Sequence, residues 1–184
     1  MSEQVVVVLA TGFEEIEAAT PIDVLRRAGV DVVVAGVGST AVQGAHGVTY
    51  QCDSALEDIL STPRAIVLPG GLPGAENLGK SGAVKEMALK VNENGGICAA
   101  ICAAPALTLA KYGVLNDRTA TCYPSFEKEF DSSTKPSEDR VVVDGNIITS
   151  RGPGTSLEFS LKLAAMLVGQ EAADEIQDQM LARV

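Results

Sequence analysis

Short, continuous apolar runs alternate along this chain with stretches in which apolar positions recur every three to four residues. Val5 to Ala10 is unbroken apolar sequence closed by Thr11-Gly12, the pattern of a strand buried on both faces. Glu14 to Arg27 then follows helical spacing. Its acidic first turn and basic last turn suit the helix dipole, and Gly29 stops it. Pro21 should bend this helix or remove one hydrogen bond. Asp31 to Val37 reads as a second buried strand, so the chain opens with a βαβ unit.

The middle is less regular. Thr40 to Gln51 alternates weakly between glycines and predicts a short hairpin or edge strands. Leu56 to Leu60 allows one or two helical turns. Ala65 to Leu68 is a short buried strand ending at Pro69-Gly70-Gly71-Leu72-Pro73-Gly74, and Ala83 to Glu93 is a helix ended by Asn94-Gly95-Gly96. Ile97 to Ile101 is the next strand, with a helix from Ala104 to Lys111 leaving it. Val141 to Val143 and Ile147 to Ser150 flank Asp144-Gly145-Asn146 as a hairpin. Ser156 to Val168 and Glu171 to Leu181 are closing helices. The alternation of strands and helices, without repeat or linker, predicts one layered α/β domain over residues 1–184.

Composition narrows the function. The 184 residues are 46% hydrophobic with no tryptophan, which suits buried parallel strands covered by small-residue helices. The formal charge of −10, without a basic cluster, would repel a phosphate backbone, so nucleic acid is not an expected partner. The N-terminal residues lack a basic region, and no stretch approaches a membrane span; a cytoplasmic protein is expected. In that compartment the four cysteines, Cys52, Cys98, Cys102 and Cys122, are expected to be free thiols. A single histidine and dispersed thiols leave too few ligands for zinc, and neither a P-loop nor G-x-G-x-x-G is present, so no metal or cofactor is expected.

The chemistry-bearing segment is Gly96-Ile97-Cys98-Ala99-Ala100-Ile101-Cys102-Ala103-Ala104-Pro105. A buried strand runs directly into a helix, and Cys102 falls on the junction, where the backbone is strained and the neighbours must be small. The arrangement parallels the nucleophile elbow of α/β-hydrolases with cysteine in place of serine. The following helix N-terminus should lower the thiol pKa and supply N–H groups for an oxyanion. A small apolar core residue is the other common role of cysteine, and it fits Cys98 on the strand interior. Cys102 lies instead at the carboxyl end of a strand, where open α/β sheets bind ligands.

The acid/base groups within reach are carboxylates. Glu14 and Glu17 share a helix face after the first strand, and Glu15 points elsewhere. For Glu14 and Glu15, anion placement in a first helical turn is the simpler role. His46 is most simply a polar loop residue, and a Cys–His protease or amidotransferase is disfavoured because no histidine follows the cysteine. Gly70-Gly71 could lend an N–H to an oxyanion, or be only a turn. Pro153, within Gly152-Pro153-Gly154, marks a rigid turn and a candidate pocket wall.

Four segments in order, Gly12-Phe13-Glu14-Glu15-Ile16-Glu17, Leu68-Pro69-Gly70-Gly71, Ala99-Ala100-Ile101-Cys102-Ala103-Ala104-Pro105 and Thr149-Ser150-Arg151-Gly152-Pro153-Gly154-Thr155, resemble the ThiJ/PfpI superfamily. Within it they are similar to the branch of bacterial YajL and the Parkinsonism-associated protein deglycase. The resemblance implies a flavodoxin-like sandwich, with a mostly parallel sheet and helices on both faces, and a homodimer. It implies that Cys102 is an oxidation-prone nucleophile, with Glu17 a protonated carboxyl hydrogen-bonded to its thiolate. Gly71 and Ala103 would supply the oxyanion N–H groups. Tyr123 stands where some relatives carry a histidine, so Glu17 would act alone, with Gly70, Tyr123, Glu14, Pro153 and His46 as possible pocket residues.

Two functions fit this expectation. One is a cofactor-free glyoxalase or deglycase acting on methylglyoxal-type carbonyls or their adducts, with Cys102 as nucleophile and Glu17 as acid/base. The other is a redox-sensing stress protein or chaperone in which Cys102 is oxidised to sulfinic acid.

Overall fold

Five consecutive apolar residues, Val5 to Leu9, lie fully buried in the computed structural model, which describes residues 1–183. They belong to β1 (Ser2–Leu9), which has neighbours on both sides and helices over both faces, so no position along the run faces water. After α1 (Glu15–Arg27), β2 (Val32–Gly36) pairs with β1 in parallel, Val5 opposite Val32. A small antiparallel hairpin, β3 (Ala41–Gln43) with β4 (Thr49–Gln51), stands outside the main sheet as the glycine-bounded alternation predicts. The short β5 (Ser54–Ala55) then extends the sheet beyond β2, followed by a single 3₁₀ turn at Leu56–Asp58.

The chain next crosses to the other side of β1. There β6 (Pro63–Leu68) pairs in parallel, Val5 opposite Ala65. Helices α2 (Gly74–Lys80) and α3 (Gly82–Glu93) lead to β7 (Ile97–Ile101). After β7 come one π-helical turn, Pro105–Leu109, and a 3₁₀ turn, Ala110–Tyr112, in place of the expected regular helix from Ala104 to Lys111. The short parallel pair β8 (Thr119–Ala120) and β9 (Lys135–Pro136) precedes the hairpin β10 (Val141–Asp144) and β11 (Ile147–Ser150). The closing helices are α4 (Ser156–Val168) and α5 (Gln170–Gln179).

The seven-stranded order is β10-β11-β7-β6-β1-β2-β5, parallel except for the antiparallel edge strand β10. The β1-to-β2 and β6-to-β7 crossovers run in opposite directions along the sheet. Right-handed connection therefore places α1 and α3 on opposite faces, the flavodoxin-like sandwich expected from sequence. Helix α4 packs on α1, and α3 on β6 and β7. The order reverses between β1 and β6, so the sheet offers a crevice beyond the carboxyl ends of those strands. Among the described residues no helix is long and apolar enough to cross a membrane.

Candidate functional site

Loops from β1, β6 and β7 meet at that crevice. Cys102 has φ +65°, in the left-handed region that a non-glycine residue occupies at a cost of order 1–3 kcal/mol. Two backbone hydrogen bonds hold it there. Its N–H donates to Ser150 O (2.9 Å), and its carbonyl accepts from Tyr123 N–H (2.7 Å). The turn lifts the side chain toward a cavity, where Cys102 keeps 9% exposure, while Cys98, four residues earlier on β7, is fully enclosed.

The β6 loop approaches as closely as its glycines allow. A Cβ on Gly70 would lie 2.6 Å from Cys102 Cβ and 2.8 Å from Glu17 Oε2, so any side chain there would occupy the site. Gly71 has φ +86° and presents its N–H toward the Cys102 sulfur, as Ala103 does from the other side.

Glu17, in the first turn of α1, is fully buried. Its N–H is capped by Glu14 Oε2 (2.8 Å), and its own Oε2 accepts Gly70 N–H (2.8 Å). Glu17 Oε1 is enclosed with no partner of ordinary hydrogen-bond geometry among the described residues, and the group lying against this carboxyl is the Cys102 thiol. Burial pushes Glu17 up to about 7 against the opposing hydrogen bonds from Cys102 and Gly70, and the charge of Glu14 adds to the rise.

The expectation of a thiol pKa lowered by a following helix is not met. Burial pushes Cys102 up to about 12, the Glu17 charge acts in the same direction, and the Gly71 and Ala103 N–H groups oppose it. The helical segment after Cys102, residues 105–112, is a π turn running into a 3₁₀ turn rather than a regular α-helix, and the groups that oppose the rise are the individual N–H groups of Gly71 and Ala103. Two buried acids in contact cannot both ionise cheaply. With Glu17 pushed up to about 7 and Cys102 to about 12, they carry one proton between them from about neutral pH upward and titrate as a unit.

A cavity of about 420 Å³ opens over the thiol, lined by Glu14, Ala45, His46, Gly71, Leu72, Cys102, Ala103, Tyr123 and Phe126. Glu14 serves both as helix cap and as cavity wall. Glu15 turns away and clasps the hairpin, accepting His46 N–H (2.6 Å) through Oε1 and meeting His46 Nδ1 (2.7 Å) through Oε2. That contact raises the pKa of His46. Burial alone would raise Glu15 too, but its hydrogen bonds with His46 win and hold it low. His46 thus stands at the rim rather than in a remote loop.

Pro153 is not among the cavity walls. Its turn acts at one remove through Gly152, where a Cβ would lie 3.3 Å from the Tyr123 ring. Leu72, Ala45 and Phe126 were not expected to line a site; an apolar residue directly after Gly70-Gly71 was the available signal for Leu72. A second depression of about 400 Å³, between β10, α4 and α5, contains no cysteine or histidine. Glu14, Glu15 and His46 are the one group of three potential metal ligands among the described residues. Both Glu15 oxygens and His46 Nδ1 are already committed to each other, and Glu14 Oε2 is committed to the cap.

Residues 3–166 match the DJ-1/PfpI family. The protein dj-1beta of Drosophila melanogaster is 43% identical over 184 residues, covering 98% of both chains. DJ-1 homologs B and A of Arabidopsis thaliana are 42% and 44% identical over 99% of this chain, which spans only 42% and 47% of their lengths. The glutathione-independent glyoxalase DJR-1.2 of Caenorhabditis elegans is 36% identical, over 89% of this chain and 87% of its own. Among solved structures, oxidised Toxoplasma gondii DJ-1 superposes with a TM-score of 0.95 at 39% identity, with full coverage of both chains.

Proposed function

This chain belongs to the DJ-1/PfpI family, and on that premise we propose that it is a cysteine-dependent, cofactor-free glyoxalase for methylglyoxal-type 2-oxoaldehydes. The observation that carries the reading is the placing of the Cys102 thiol against the buried Glu17 carboxyl, whose Oε1 is enclosed without a partner of ordinary hydrogen-bond geometry among the described residues. The similarity to a glutathione-independent glyoxalase supports the reaction class.

The reacting form has the shared proton on Glu17 and the charge on sulfur. The thiolate attacks the aldehyde carbon, a C–S bond forms, and the carbonyl π pair moves to oxygen beside the Gly71 and Ala103 N–H groups. Glu17 protonates that oxygen and becomes a carboxylate. It then removes the hydrogen from the former aldehyde carbon, giving an enediolate; the hydroxyl proton passes from the first carbon's oxygen to the second's, and Glu17 returns its own proton to the neighbouring carbon. The first carbon is thereby oxidised to a thioester and the second reduced to a carbinol. Water cleaves the C–S bond, one of its protons returning to the Glu17 carboxylate, and the 2-hydroxy acid leaves with the thiolate restored. No external oxidant or reductant is consumed. The same attack on carbonyl adducts of amines would constitute deglycation.

Lactate formation from methylglyoxal tests this directly. Wild type is expected to produce lactate, Cys102→Ser none above background, and Glu17→Gln at least a hundredfold less, the range lost when a positioned acid/base is removed. Equal rates in all three would end the proposal. The homodimer implied by family resemblance is tested by sedimentation, which should give twice the chain mass.

A second reading, redox sensing at the same thiol, is favoured by the similarity to an oxidised DJ-1 and by differential access. Cys102 faces the cavity, whereas Cys98, Cys122 and Cys52 are between 0% and 4% exposed. Mild peroxide followed by peptide mass mapping should add two oxygens at Cys102 first. Even oxidation across the four cysteines would exclude a tuned sensor.

A further inference from the structure

The cavity is larger than its expected substrate, and besides Glu14 and His46 its wall includes the apolar and aromatic side chains of Leu72, Tyr123 and Phe126. At roughly 30 Å³ per heavy atom, the share of liquid volume that water takes, a three-carbon oxoaldehyde fills about 150 Å³. The cavity measures about 420 Å³. Leu72, Tyr123 and Phe126 supply apolar and aromatic wall, and two of them are about half exposed, Leu72 at 51% and Tyr123 at 46%.

The aromatic wall is built rigidly onto the nucleophile turn. Tyr123 N–H donates to the carbonyl of Cys102 (2.7 Å), so the Tyr123 backbone is fixed relative to the sulfur. Phe126 N–H donates to Tyr123 O (3.1 Å), and one tight turn presents both rings, edge to face with centroids 6.4 Å apart and planes at 69°. Behind them Gly152 leaves the space that the Tyr123 ring fills. Charge limits the substrate further. Among the described residues no lysine or arginine lines the cavity, and His46 is tied to Glu15, while Glu14 sits in the wall. A substrate that already carries a carboxylate would meet like charge there, and an anionic hydroxy-acid product would be expelled by it.

We infer that Tyr123, with Leu72 and Phe126, is a specificity-determining wall that selects neutral 2-oxoaldehydes bearing a bulky, apolar substituent of about aromatic size over methylglyoxal. The inference rests on the glyoxalase reading. The reacting aldehyde carbon would stand over Cys102, with its substituent against the Tyr123 and Leu72 side chains.

The test compares kcat/KM for phenylglyoxal, read as mandelate, with kcat/KM for methylglyoxal, read as lactate, from initial rates of each variant. Apolar contact discriminates by roughly ten- to two-hundredfold. Wild type should therefore favour phenylglyoxal by about tenfold or more, chiefly through KM. Tyr123→Ala should reduce that ratio about tenfold, Leu72→Ala should reduce it in the same direction, and Tyr123→Phe should retain it, because the ring rather than the hydroxyl does the selecting. A wild-type ratio near one, or a ratio unchanged in both alanine variants, overturns the inference while leaving the glyoxalase reading intact. Absence of both hydroxy acids, or formation that persists in Cys102→Ser, defeats the underlying reading instead.

Discussion

At the scale of single residues, Cys102 and Glu17 must be considered as one titrating pair. With Glu17 ionised, burial and the neighbouring charge hold the thiol at about 12. With the proton on Glu17, that charge disappears and an O–H donor faces the sulfur, joined by N–H groups from Gly71 and Ala103. The proposed reaction needs the second arrangement, and ultraviolet thiolate absorbance distinguishes them. Wild type should show a Cys102 thiolate step near pH 7, absent in Cys102→Ser. Glu17→Leu should move the step upward by about one unit or more, because burial remains and the donor is lost. A downward movement would show that Glu17 acts on the thiol as a charge and not as a donor.

Elements made of local sequence are legible, and elements that depend on a distant partner are not. The cysteine turn could be read because a buried strand, a cysteine and small residues follow each other directly. Helix α4 follows helical apolar spacing and has the expected bounds, Ser156–Val168. Helix α2 was missed. Its seven residues include two glycines, so intrinsic propensity argues against it. It is held from outside: Thr108 Oγ1 donates to Ala75 O (3.0 Å), Tyr112 Oη donates to Leu78 O (2.6 Å), and Gly79 lies where a Cβ would be 2.1 Å from Leu107 O. Ala104 to Lys111 was expected to form a regular helix, and the π and 3₁₀ turns found over residues 105–112 accompany this close approach of α2. Tyr112→Phe should therefore destabilise the fold by about 1–2 kcal/mol, leaving the Leu78 carbonyl without its hydroxyl partner. Urea unfolding checks this, and a change below a few tenths would show that α2 does not depend on that hydroxyl.

The site obeys the same division. Glu17 could be named only through family resemblance, because its contact with Cys102 spans the switch between β1 and β7 and has no local signature. His46 and Glu15 are likewise joined by a hairpin folding back on a helix start. Of the apolar walls, Leu72 is marked in sequence only by following Gly70-Gly71 and Phe126 by nothing; their placement around Cys102 gives them meaning.

At the scale of the whole molecule, the topology sets the cost of the site. The reversal of strand order between β1 and β6 brings the start of α1 beneath the β6 loop, and this encloses Glu17 on every side. Folding therefore takes a carboxyl from its ordinary value of 4.5 to about 7. Between those values the folded chain holds a proton that the unfolded chain has released, so stability falls as pH rises through the window and levels off above it. The second proton of the pair, held to about 12 where an unfolded thiol releases it at 9.0, adds its own loss only above pH 9 and does not overlap. The whole shift of Glu17 corresponds to somewhat over 3 kcal/mol, of which about 2–3 falls between pH 5 and pH 8. Glu17→Gln retains an acceptor for Gly70 N–H and removes the titration. Relative to this variant, wild type should lose about 2–3 kcal/mol in urea unfolding between pH 5 and pH 8, and Glu17→Gln should be the more stable protein at the upper end. Parallel profiles for the two proteins would mean that Glu17 is ionised in the folded state throughout, and the proton required by the proposed chemistry would have to come from elsewhere.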